Sequence, residues 1–307
     1  MRRMVVIALA VPVGVITGAA AWALFESLDT ATAWRVGHPW LVWLLPIAAL
    51  AFGVLYHRCG GEARRGTALV VDAVIPSNSE PIVPYRMAPL IFAATFVAQL
   101  TGASVGREGA ALQIGGSITS FITRPIGLPA TERRHVLIAA IAGSFGGAFG
   151  VPLAGAVFGV EVRRSQGAGL RALPAALVAS FTADRVVEWL GRRTPMVNIL
   201  DRLRVDVDVW VLVRLIAVGV MAGLAARVFV TLIRRVKLEV GDSITWAPAR
   251  PVLGAVATIA LMLIVGRDYL GLSLPLVESS LTSPHADWWD PLLKIVFTAI
   301  ALGCSIP

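Results

Sequence analysis

Thr101-Gly102-Ala103-Ser104-Val105-Gly106-Arg107-Glu108-Gly109-Ala110-Ala111-Leu112-Gln113-Ile114-Gly115-Gly116 is the stretch on which the reading of this chain turns. It sets an arginine and a glutamate between glycines and then opens an apolar helix. The first backbone N–H groups of such a helix are unpaired and sit at the positive end of its dipole, so this end favours anions. Glycine on either side lets an ion approach the backbone without Cβ atoms in the way. Glu108 can then act in two ways: charged, its carboxylate occupies the anion position itself, and protonated, it withdraws. That makes one side chain both a gate and a proton carrier. The competing reading is that Glu108 caps the helix or pairs with Arg107. An ionisable group at membrane depth is functional by default, which favours the gate.

Membrane depth follows from composition. A soluble domain has about a quarter of its residues charged and roughly half apolar. Here 15% of 307 residues are charged and 57% are apolar, with a mean hydropathy of +0.77. Too little polar surface exists to cover a globule in water, so the solvent is lipid. A backbone in lipid must satisfy its own hydrogen bonds, and the apolar runs lack the period-2 alternation of a barrel, which leaves helices. The expected fold class is all-α and polytopic, a single transmembrane domain over residues 1–307. The formal charge of +8 falls in bursts between apolar segments, as cytoplasmic loops of a membrane protein do. Nucleic acid is therefore not an expected partner, and the lipid bilayer is.

Apolar segments run at about 4–24, 39–57, 88–103, 135–161, 170–190, 209–233, 251–266 and 289–304. Several are shorter than the ~20 residues of a perpendicular span. Short pieces broken by Gly and Pro predict tilted and re-entrant helices, tolerated where the backbone lines a protein-walled cavity. Met1-Arg2-Arg3-Met4 followed by an apolar run reads as a first, uncleaved membrane helix rather than a signal peptide, because more spans follow directly. Arg2, Arg3, Arg58, Arg64, Arg65, Arg124, Arg133, Arg134, Arg163, Arg164, Arg171, Arg234, Arg235 and Lys237 mark the cytoplasmic side, and 25–38 and 266–290 external loops. The segment 191–208 resists this rule, since Arg192, Arg193, Arg202 and Arg204 are only partly offset by Asp201, Asp206 and Asp208.

Other candidates are weaker. Gly66-Thr67-Ala68-Leu69-Val70-Val71-Asp72 could begin a short helix facing a cavity, but reads equally as a plain helix start beside the basic Arg64-Arg65 loop. Gly143 to Glu161 is rich in small residues, which suits close helix packing in lipid. Glu161, next to Arg163 and Arg164, reads as an interfacial ion pair. His38, His57, His135 and His285 have no metal-ligand spacing, and Cys59 and Cys304 form no framework, so no metal or cofactor is expected. Ser104 lacks a nearby histidine or a nucleophile elbow, which argues against an enzyme, including one acting on lipids. Trp34, Trp40, Trp43, Trp288 and Trp289 sit at segment ends, where interfacial belts lie.

The residues resemble the CLC family of anion channels and anion/proton antiporters. The resemblance rests on Gly106-Arg107-Glu108-Gly109, on the run from Phe149 through Pro152 to Glu161, and on their order and separation. Gly37-His38-Pro39, Leu44-Leu45-Pro46, Tyr85-Arg86-Met87-Ala88-Pro89, Tyr269-Leu270-Gly271-Leu272 and Lys294-Ile295-Val296-Phe297-Thr298-Ala299 are most similar to the bacterial branch that exchanges fluoride for protons. The resemblance implies an inverted-repeat architecture, with a first repeat at about 1–190 and a partial second at about 209–307. It implies a bacterial inner-membrane location, fluoride or chloride and protons as partners, and a homodimer. Glu108 would be the external gate, with Gly106, Arg107, Gly109 and Ala110 helping to hold the anion. Gly66-Thr67-Ala68-Leu69 falls where chloride-handling members carry a serine turn, and Leu69 takes the place of the methionine common in the fluoride branch. Val162 replaces the internal glutamate of chloride/proton exchangers, which fits fluoride. Family members continue past Leu302-Gly303 into a Gly-rich turn and a half-helix forming the far side of the anion site, whereas this sequence ends at Cys304-Ser305-Ile306-Pro307. A truncated, non-transporting relative and a chloride channel are the alternatives to fluoride/proton antiport.

Overall fold

Long apolar runs without water to serve their backbones leave the i to i−4 ladder as the only ready partner, and the chain folds accordingly. The computed structural model describes residues 2–75, 82–162, 170–191, 208–282 and 287–305, and within these the regular structure is helical with no strand. In chain order the α-helices are α1 (Arg2–Gly37), α2 (Leu45–Cys59), α3 (Thr67–Val74), α4 (Met87–Thr101), α5 (Glu108–Thr123), α6 (Ala130–Phe149), α7 (Pro152–Glu161), α8 (Leu173–Trp189), α9 (Val209–Ser243), α10 (Arg250–Val265), α11 (Leu274–Thr282) and α12 (Asp290–Gly303). Among the described residues, four stretches are long and apolar enough to cross a membrane: Met4–Gly37, Pro39–Cys59, Val209–Ser243 and Ala247–Val265. The 35 residues of α9 would extend about 52 Å at 1.5 Å per residue. That exceeds a hydrocarbon core of about 30 Å, so α9 tilts or emerges from it. Its Trp210, Leu215, Ile216 and Met221 are all exposed, which suits a lipid-facing helix and no other solvent.

The core is built around α6, which packs against α1, α5, α7 and α8. Ala139, Ala140 and Ala142 of α6 and Ala176, Ala179 and Ala183 of α8 are wholly buried. Small side chains let the helix axes approach closely, the packing that replaces a hydrophobic drive in lipid. The small-residue run expected between 143 and 161 is split: Gly150 takes a left-handed conformation (φ 66°) and Pro152 opens α7, which folds back on α6. A Cβ on Gly155 would lie 2.7 Å from the Cα and N of Gly146. A second cluster, containing Val42, Leu45, Ala255, Ile259, Met262, Tyr269, Leu270 and Phe297, joins α2 to α10 and α12.

The region 25–38, expected as an external loop, is helical almost throughout, since α1 runs on to Gly37. Glu26 and Asp29 do not end it because no glycine or proline interrupts 25–36, and Asp29 finds a partner in Arg107 at 3.7 Å. The ambiguous loop bearing Arg192, Arg193, Asp201, Arg202, Arg204 and Asp206, the Arg163-Arg164 pair expected beside Glu161, and His285 lie outside the described residues.

Candidate functional site

The turn that carries Glu108 begins where α4 stops. Gly102 (φ 90°) caps α4 in the left-handed region, with its N–H donating to Gln99 O at 3.3 Å and the N–H of Ala103 to Ala98 O at 2.8 Å. The left-handed cap is a glycine position because a Cβ there meets the backbone. Residues 103–107 then cross to α5, which Glu108 opens. In a helix starting there, the amides of Glu108, Gly109 and Ala110 have no carbonyl one turn back to bond. Arg107, the residue at the helix boundary, supplies no side-chain cap. Its guanidinium lies 4.0 Å over the Phe25 ring and reaches Asp29, so the charge is turned towards α1.

Glu108 is half-buried, and its carboxylate folds back over the turn: a Cβ added to Gly106 would collide with Glu108 Oε2. The group thus lies over the glycine backbone that an ion would approach. It also lines a cavity of about 590 Å³, whose wall includes Gly106, Gly109, Ala110, Gln113, Gly66 and Thr67. In an apolar, low-dielectric recess, dipoles and charges act more strongly than in water.

Gly66 and Thr67 bring a second helix start to the same cavity. Gly66 (φ 58°, ψ −140°) holds a conformation open to glycine and precedes α3 with no side-chain cap. Thr67 Oγ1 accepts a 3.0 Å hydrogen bond from Gln113 Nε2, and a Cβ on Gly109 would come within 3.0 Å of that hydroxyl. The N-termini of α3 and α5 therefore abut, and both positive dipole ends face one space. Of the candidates read from sequence, Glu108, Gly106, Gly109, Ala110, Gly66 and Thr67 meet here. Ala68 is exposed, and Leu69 packs into the core with Val70, Val74, Met87 and Leu112. Glu161 is exposed at the end of α7. Among the described residues no three His, Cys, Asp or Glu side chains cluster as for a metal.

Some residues at the site escape sequence reasoning. Gln113 bridges two helices 46 positions apart in sequence. Tyr56 lines the cavity with a buried hydroxyl that has no hydrogen-bond partner among the described residues. Arg64 and Arg65 form part of the wall, with Arg65 paired to Asp72 and 3.8 Å from Glu62. A polar residue inside an apolar segment is a usable signal, and Tyr56 in α2 carries it.

Comparisons with known proteins agree with the helical fold. The family model of the voltage gated chloride channel matches residues 47–307. A chloride/fluoride channel protein of Pseudomonas syringae pv. tomato is 36% identical over 304 residues, covering 97% of this chain and 66% of its own length. The chain therefore spans just under two thirds of that relative. An H(+)/Cl(−) exchange transporter, ClcA, of Vibrio vulnificus is 34% identical over 147 residues, 45% of this chain and 31% of that protein. The crystal structure of a CLC-type fluoride/proton antiporter superposes with a TM-score of 0.88 at 27% identity, covering 98% of this chain and 75% of that one. A slow cyanobacterial Cl−/H+ antiporter shares the fold, with a TM-score of 0.75 at 18% identity. The helical architecture is of the CLC type, and with the family model matching 47–307 the chain belongs to the voltage-gated chloride channel (CLC) family.

Proposed function

We propose that the protein moves fluoride across a bacterial inner membrane in exchange for protons, with Glu108 as gate and proton carrier. The observation that carries this reading is the convergence of two helix N-termini and one carboxylate on a single cavity. Fluoride is small and strongly hydrated, and it needs several aligned donors to replace its water. Unpaired helix amides supply these without the tight hold of a fixed cation. The amides of Gly109 and Ala110, with Gly66 and Thr67 opposite, would receive the ion in the place the carboxylate vacates. When Glu108 is charged it competes for that place, and when it takes a proton its attraction to the amides falls. One side chain then ties anion release to proton movement.

Likeness to a fluoride/proton antiporter over nearly the whole chain supports the choice of ion. Chloride exchange is the second reading, favoured by the partial match to H(+)/Cl(−) exchange transporters. Purified protein in proteoliposomes, with anion efflux and external pH recorded together, tests both. Fluoride efflux coupled to proton uptake is expected, and Glu108→Gln should abolish the proton coupling. Chloride-driven proton movement without a fluoride response would select the second reading. Proton coupling that survives Glu108→Gln would remove Glu108 from the mechanism.

A further inference from the structure

The function assigned above leaves unused the two segments containing Tyr269, Gly271, Lys294 and Thr298, and the structure brings these together behind the Glu108 turn. Lys294 of α12 is half-buried. Its ammonium donates to Ser104 Oγ at 2.8 Å, to Tyr269 O at 3.1 Å and to Gly271 O. An ammonium has three N–H groups and no acceptor, so all its donors are used. Ser104 Oγ, wholly buried, also lies 2.9 Å from Thr298 Oγ1, one turn along the same helix. The N–H of Gly271 donates to Gly102 O at 3.1 Å, so the residue Lys294 holds is itself bonded to the cap of α4. The Tyr269 ring stacks on Phe297, with centroids 5.6 Å apart, and its hydroxyl donates to Asp290 Oδ1 at 2.6 Å.

Each acceptor of the ammonium lies on a connecting segment rather than in a helix. Ser104 is four residues before Glu108, in the crossing from α4 to α5. A position that served only to pack α12 would carry an apolar side chain, since an amine in the membrane is costly unless its donors are met. Here three charge-assisted hydrogen bonds meet them, and they join the connection before α5 to the connection after α10. We infer that Lys294 is a positioning residue that holds the turn bearing Glu108 in place by tying Ser104 to the 269–271 loop. It does not touch the cavity. It sets where the carboxylate starts from, and it makes the place of the gate depend on α12.

This inference rests on the gating role proposed for Glu108, so the test has one readout that does not need transport. Hydrogen–deuterium exchange is measured on detergent-purified wild type, Lys294→Met and Ser104→Ala, and the proton-to-fluoride ratio is measured in proteoliposomes. Ser104→Ala loses one hydroxyl and keeps the fold even if Lys294→Met does not. Amides of 103–109 are expected to exchange roughly tenfold faster in both variants, with those of α6 unchanged. The proton-to-fluoride ratio is expected to fall below about half of wild type while fluoride still passes, a split that general loss of structure would not produce. Wild-type exchange at 103–109 in Ser104→Ala overturns the positioning role. A wild-type protein that moves no protons with fluoride overturns the function proposed above, and the exchange data still decide the role of Lys294.

Discussion

The 3.0 Å hydrogen bond from Gln113 Nε2 to Thr67 Oγ1 sets the spacing of two helix starts, and its removal can be worked through in energy. Thr67→Val keeps the shape and deletes the acceptor, leaving the Gln113 amide, 7% exposed, one partner short. An orphaned buried donor costs about 1–3 kcal/mol. Gln113→Leu deletes the donor and leaves a half-buried hydroxyl that can turn into the cavity, at the net cost of one hydrogen bond, about 0.5–1.5 kcal/mol. In the double variant neither polar group of this pair is left unmet, so its loss should fall short of the sum of the singles by about 1 kcal/mol. Reversible unfolding in mixed micelles measures the three values. Fluoride affinity, by calorimetry, should weaken about tenfold in each single variant, or ~1.4 kcal/mol, because the facing amides lose their register. Single losses that add within ~0.5 kcal/mol, with fluoride affinity unchanged, would refute the claim that this bond spaces the two helices.

Tyr56→Phe removes only the unpartnered hydroxyl. It should slow fluoride efflux roughly two- to tenfold, the worth of one net hydrogen bond, and leave the thermal midpoint the same or higher, since a buried unmet group is removed; unchanged efflux would take Tyr56 off the pathway. Gly155→Ala places a methyl 2.7 Å from the Gly146 backbone and should lower stability by about 1–3 kcal/mol, read as a fall in the thermal midpoint in detergent. Gly219→Ala on α9, where an added Cβ meets none of the described residues within 4 Å, is the matched control and should be neutral or stabilising by up to about 1 kcal/mol.

The helical class is legible in composition because lipid allows so few backbone solutions. The start of α5 is legible because a charged pair between glycines interrupts an apolar run. What stays hidden depends on distance along the chain. Gly66 and Gly109 each read as a helix start, but nothing local says that the two starts abut. Lys294 is visible as a cation within an apolar segment, yet its partner Ser104 is 190 residues away. The full length of α1 is hidden because Glu26 and Asp29 read as loop residues, whereas Asp29 meets Arg107 across the bundle. Leu69 aligns by spacing with an anion-site position, but one helical turn carries its side chain into the core. Spacing in sequence counts residues, while the cavity selects a direction around the helix axis.

The alanine-lined face between α6 and α8 has a consequence for how firmly the helix ends are held. Alanine and glycine have no rotamers, so ordering Ala139, Ala140, Ala142, Ala176, Ala179 and Ala183 forfeits no side-chain entropy on folding. The frame behind the N-terminus of α5 also cannot soften by rotamer exchange, because there are no alternative wells to visit. Apart from alanine to glycine, which deletes a packed methyl, change on that face adds atoms where helices already touch, so it should be among the least tolerant surfaces of the protein to substitution, despite carrying no chemistry of its own.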